Sequence, residues 1–105
     1  HTLIDLPVFI RRGKEDGPVV LISGGVHGDE INGIVAVRRM LEDNLIQPLR
    51  GTVILMPLVN VYGFLSNSRT FPDGRDLNRS FPGSKKGSLA SQIAFMMSSQ
   101  IIPQI

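Results

Sequence analysis

"VVLISGGVHGDEINGIVAVRRML", residues 19–41, changes character twice. Residues 19–23 are a nearly continuous apolar run, the pattern of a strand buried on both faces of a sheet. From 30 to 45, Ile34, Val37, Leu41 and Leu45 recur at helical spacing, while Arg38 and Arg39 stand four residues before Glu42 and Asp43 on the other face. Between strand and helix lie Gly24, Gly25 and Gly28, around His27. A second apolar run, "GTVILMPLVN" at 51–60, predicts another buried strand. Two such strands joined by a helix predict a βαβ unit in a parallel sheet. Ligand sites in sheets of this kind lie beyond the carboxyl ends of the strands. Both irregular segments of the chain, 24–30 and 60–80, fall there.

The flanks fill in the order strand, strand, helix, strand, long loop, helix. "LPVFIRR", 6–12, reads as a short strand and "GKEDGP", 13–18, as turn chemistry. Residues 61–87 are rich in Gly, Pro, Ser, Asn and Arg, and a loop of that length in a compact domain is usually functional or disordered. Leu89, Ile93, Met97 and Ile101 predict a last helix that stops before Pro103. The closing "IIPQI" matches no element.

Composition narrows the class. The 105 residues allow a single α/β domain, and 42% hydrophobic with 19% charged residues is globular rather than disordered. No apolar run approaches the ~18 residues of a membrane span, and the N-terminus lacks a signal-peptide pattern. Zero cysteine excludes disulfides and thiolate zinc sites, which makes the cytoplasm the default compartment. The net charge of +2 is mild and the basic pairs at 11–12, 38–39 and 85–86 are scattered. Nucleic-acid binding would call for a concentrated basic stripe, so that function is set aside.

His27-x-x-Glu30 is the first chemical candidate. A His and a carboxylate three apart at a helix start point to the same side, and both are good zinc ligands. The glycines would leave room for a metal and a substrate. The plainer alternative is that Asp29 caps the helix and His27 is a surface residue. Several other motifs fail: H-x-x-E-H would need His where Ile31 stands, no Gly-Lys-Ser/Thr triplet follows the glycines, and the flanks of Ser23 do not make a nucleophile elbow. The second candidate is "SRTFPDGRDLNRSFPG", 68–83, which carries Arg69, Arg75 and Arg79 beside Asn78. Guanidinium forks suit carboxylates, and Asn adds a hydrogen bond. Its plainer alternative is a solvated loop in which the arginines pair with Asp73 and Asp76.

Taken together, "GGVHGDE" after one strand and "SRTFPDGRDLNRSFPG" after the next resemble the succinylglutamate desuccinylase/aspartoacylase family of zinc carboxypeptidase-like hydrolases. The resemblance runs from Leu6 to about Ile93. It implies an α/β fold with a mostly parallel, mixed sheet flanked by helices, here incomplete, and zinc as cofactor. It implies that His27 and Glu30 bind the metal, that Asn78 and Arg79 hold a substrate carboxylate, and that Arg69 polarises the scissile carbonyl, with Arg75 a weaker match. The implied activity is metal-assisted hydrolysis of the amide bond of a small N-acyl amino acid. The family's second histidine ligand and its glutamate base lie further downstream, and neither is present by Ile105; His1 is a poor substitute. The chain therefore reads as the N-terminal part of a larger catalytic domain, inactive alone, with homo-oligomerisation left open. The competing reading is a non-catalytic α/β binding module that holds an anionic small molecule through the arginine loop. A phosphate-binding domain built on "SGGVHG" is weaker, because no Lys or Thr follows the glycines. Metal content separates the enzyme from the binding module.

Overall fold

In a computed structural model, residues 5–105 are described. His1 lies outside the described residues. The elements are β1 (Phe9–Arg12), β2 (Glu15–Ser23), α1 (Ile31–Glu42), β3 (Arg50–Met56), α2 (Val61–Leu65) and α3 (Leu89–Met96). The sheet is mixed, in the order β1-β3-β2: β2 and β3 are parallel neighbours joined through α1, and β1 is antiparallel to β3.

Several boundaries moved for identifiable reasons. The segment 13–18, read as a turn, is mostly strand: β2 starts at Glu15, and an irregularity between Glu15 and Val19 absorbs Gly17 and Pro18. The first strand starts only at Phe9. β2 is not buried on both faces: Val20 is half exposed, and among the described residues the strand pairs with β3 alone. The strand that matches that pattern is β3, central in the sheet, with Ile54, Leu55 and Met56 buried. α1 buries Ile34 and Val37, and the Arg38–Glu42 pair forms at 3.1 Å. It ends at Glu42, before Asn44 turns to a φ of 52°, which leaves Leu45 exposed. The last helix does not stop cleanly before Pro103. After α3 the path continues through a π-helical turn (Met97–Ile101) and a 3₁₀ turn (Ile102–Gln104) that takes in the proline. Among the described residues no helix is long and apolar enough to cross a membrane.

The main core joins β3 to the segment expected to be loop. Met56, Val59, Phe71, Leu77, Ala90, Ala94 and Met97 form one buried cluster. Phe71 packs against Tyr62 with ring centroids 6.2 Å apart. α2 was missed because five residues are too few for a helical period to show. Asn60, fully buried, starts it by accepting from the Gly63 N–H at 2.8 Å. Its Nδ2 also donates to the Arg69 carbonyl at 3.4 Å. Asn60→Ala should therefore cost about 2 kcal/mol, because it strands a buried donor and acceptor. Urea unfolding would read this, and a loss below about 0.5 kcal/mol, the range of an ordinary surface change, would show that the cap is idle.

Candidate functional site

The site is built where β2 runs out. The Gly24 N–H donates to the Met56 carbonyl at 2.8 Å, and the carbonyls of Gly24 and Gly25 accept from Val59 and Asn60 at 3.0 and 2.8 Å. The two strands thus stay zipped for one step past their ends. A side chain at Gly24 would stand 2.8 Å from the Pro57 oxygen and 2.9 Å from Gly33, so the chain can pass here only without a Cβ. Gly25 has a φ of 68°, the left-handed region that favours glycine. These constraints turn the backbone sharply and set His27 over the sheet end.

The return segment reaches the same place from the other side. Phe71 and Leu77, both fully buried, pin it to the core. Between them the chain doubles back, with Phe71 N–H donating to the Arg75 carbonyl at 2.9 Å and Gly74 N–H to the Phe71 carbonyl at 2.8 Å. Asp76 then opens a 3₁₀ turn over Leu77–Arg79 by accepting from the Asn78 N–H at 2.9 Å.

His27 is held between two carboxylates. Its Nδ1 lies 2.8 Å from Glu30 Oε2 and its Nε2 lies 3.1 Å from Asp76 Oδ1. Arg69 spans both acids: Nη1 donates to Glu30 Oε2 at 3.2 Å, and Nε sits 3.7 Å from Asp76 Oδ2. His27 and Asp76 are largely buried, at 13% and 18% side-chain exposure, whereas Glu30 and Arg69 are open at 60% and 56%. Burial works to raise the Asp76 pKa, but the Asn78 N–H, the His27 ring and the Arg69 charge outweigh it and hold the carboxyl below its usual value. Asp76 and Glu30 thus flank the two ring nitrogens, and the tautomer decides which carboxylate each nitrogen donates to. The 2.8 Å contact is of hydrogen-bond length and sets an imidazole nitrogen beside a carboxylate oxygen. The donor set thus fits one half of a nitrogen-and-oxygen zinc shell. Among the described residues no group of three His, Cys, Asp or Glu is disposed to hold a metal.

The structure brings His27, Glu30 and Arg69 together. Asn78 and Arg79 arrive on the same return segment but are exposed, and among the described residues neither side chain forms a hydrogen bond or ion pair. Arg75 is also exposed, and its backbone N–H donates to Asp73 Oδ1 at 3.0 Å. The arginines do not simply pair with Asp73 and Asp76: Arg69 alone reaches Asp76, and it reaches Glu30 as well. Asp29 does not cap α1; the N-cap position is Glu30, with no side-chain cap bond. Asp76 is the residue that sequence reading undervalued. Its signal was present in the D-L-N-R motif, but nothing in the local spacing shows that a carboxylate 49 positions on would meet His27.

The architecture is that of the carboxypeptidase-like α/β proteins. A model of the succinylglutamate desuccinylase/aspartoacylase catalytic domain matches residues 16–103. The chain belongs to that family. N-alpha-acetyl-L-2,4-diaminobutyric acid deacetylase from Halomonas elongata is 38% identical over 100 residues, covering 93% of this chain and 29% of its own length. The crystal structure of an aspartoacylase family protein from Mesorhizobium loti superposes with a TM-score of 0.87 at 36% identity, covering 97% of this chain and 32% of that one. The succinylglutamate desuccinylase/aspartoacylase from Rhodobacter sphaeroides gives 0.85 at 35% identity, with 96% and 31% covered. The chain spans about three tenths of the length of these relatives.

Proposed function

We propose that residues 1–105 form part of a single catalytic domain of a zinc-dependent deacylase that hydrolyses the amide bond of a small N-acyl amino acid. The observation that supports this reading is an imidazole nitrogen set beside a carboxylate oxygen, His27 Nδ1 and Glu30 Oε2 at 2.8 Å, with the far side of the ring on Asp76. The deacetylase activity named for the Halomonas relative supports the reaction class.

In this reading His27 and Glu30 hold zinc, which when bound supplies a Lewis acid for the scissile carbonyl and acidifies water. Asp76 holds the imidazole in the tautomer that leaves Nδ1 free to ligate. Arg69, already over the Glu30 carboxylate, faces the developing oxyanion and stabilises it. Asn78 and Arg79, open to solvent and with no described side-chain partner, anchor the substrate carboxylate. The remaining ligand and the general base belong to the portion of the relatives' length that these residues do not span.

The test is metal removal from the full-length protein. Chelation should abolish hydrolysis of N-acetyl amino acids and added zinc should restore it. Turnover that persists after complete metal removal would contradict the proposal. Asp76→Asn keeps a hydrogen-bond acceptor but loses the charge, so zinc affinity should fall about 10–100-fold. Competition against a chromophoric chelator would measure it, and an unchanged affinity would show that Asp76 does not support the ligand.

A further inference from the structure

Asn60 lies just past the end of β3, is fully buried, and bonds to both halves of the site. Its backbone N–H donates to the Gly25 carbonyl at 2.8 Å, two residues before His27. Its backbone carbonyl accepts from the Phe64 N–H at 3.1 Å, and its side-chain Oδ1 accepts from the Gly63 N–H at 2.8 Å. That bond fixes which end of the amide is oxygen, so Nδ2 is left to donate to the Arg69 carbonyl at 3.4 Å. Among the described residues this is the one hydrogen bond made by the Arg69 main chain. The amide lies packed under the 68–70 backbone. A Cβ at Gly63 would stand 2.6 Å from Nδ2, 2.7 Å from the Ser68 carbonyl oxygen and 2.8 Å from that of Thr70.

Arg69 needs such an anchor. Its side chain is 56% exposed, and it meets Glu30 at 3.2 Å and Asp76 at 3.7 Å through ion pairs. Exposed ion pairs hold a long side chain weakly. α2, the element before it, has five residues and is too short to keep its shape unaided. We infer that Asn60 is the positioning residue for Arg69: it holds the backbone from which the guanidinium reaches over the His27–Glu30 pair. The inference rests on the deacylase reading given above for its effect on turnover, and adds a residue that touches neither metal nor substrate. The backbone bonds to Gly25 and Phe64 survive a side-chain substitution, so such a change removes only the α2 cap and the grip on Arg69. A guanidinium moved by about 1 Å from a developing oxyanion costs up to about 100-fold in rate, while ground-state binding through Asn78 and Arg79 is untouched.

The test uses the full-length, zinc-loaded protein and a substitution that separates the two tasks of the amide. Asn60→Ala removes cap and grip together, whereas Asn60→Ser keeps a hydroxyl that can cap the Gly63 N–H but is too short to reach the Arg69 carbonyl. Asn60→Ser should lower kcat for N-acetyl amino acids by about 10- to 100-fold, with KM within about twofold and zinc content unchanged. In an Arg69→Ala background the same substitution should lower kcat no further, since both changes act through one guanidinium. An unchanged kcat in Asn60→Ser would overturn the inference, as would losses that multiply in the double variant. If the wild type hydrolyses no N-acetyl amino acid, it is the deacylase reading that fails, and trypsin then decides the inference separately. Cleavage of the Arg69–Thr70 bond, whose carbonyl Nδ2 holds, should quicken about tenfold in Asn60→Ser relative to cleavage after Arg39 in α1. Unchanged cleavage at Arg69, or equal acceleration at both bonds, would overturn it.

Discussion

His27→Ala should lower hydrolysis of an N-acyl amino acid by the full-length protein about 10³-fold or more, because a Lewis acid contributes several kcal/mol at the transition state. The loss should fall on kcat. The same substitution removes two contacts at once: the ring bridges Glu30 at 2.8 Å and Asp76 at 3.1 Å, so alanine leaves two carboxylates with only Arg69 between them. His27→Gln offers a control, since its amide N–H can still donate to one of the acids while the side chain is a poor zinc ligand. It should retain stability better than alanine and be as inactive. Activity within tenfold of wild type in either variant, far short of the loss a metal centre implies, would mean that the metal is held elsewhere.

The βαβ frame was legible because its signals are local. The apolar run at 19–23, the spacing of Ile34 and Val37, and the run at 51–56 each report one element, and parallel pairing follows from their order. Edge and centre were not legible. β2 and β3 look alike in sequence, but among the described strands β3 alone has neighbours on both sides, and it is the more buried of the two. The segment 61–87 hid its order for a different reason. Phe71 and Leu77 anchor it, but two apolar residues six apart among glycines and prolines have no period to detect. The site shows the same division. That His27 and Glu30 face each other was legible from a three-residue spacing, whereas their candidacy as a site, like that of Arg69, came from the family resemblance. The meeting of Asp76 with His27 depends on how the anchored segment folds back, which is tertiary information.

Gly28→Ala should destabilise the protein by about 3 kcal/mol, at the upper end of overpacking costs. A Cβ at this position would overlap the Gly63 carbonyl carbon, the Phe64 nitrogen and the Ser68 carbonyl oxygen, all backbone atoms that cannot swing aside. The absence of a side chain lets the His27 loop lie directly on α2 and the start of the return segment, which is how the two halves of the site are brought to one distance. The variant should therefore lose zinc affinity as well as stability, even where it remains folded. Chemical denaturation together with zinc competition would show both, and a stability loss with unchanged affinity would separate the loop's packing from the site's geometry.

The central claim is that His27 and Glu30 are the protein's own share of a zinc shell, and metal stoichiometry tests it most directly. Full-length protein purified without added chelator should carry one zinc per chain by elemental analysis, and His27→Ala prepared in the same way should carry close to none. Stoichiometric zinc retained in His27→Ala would contradict the account.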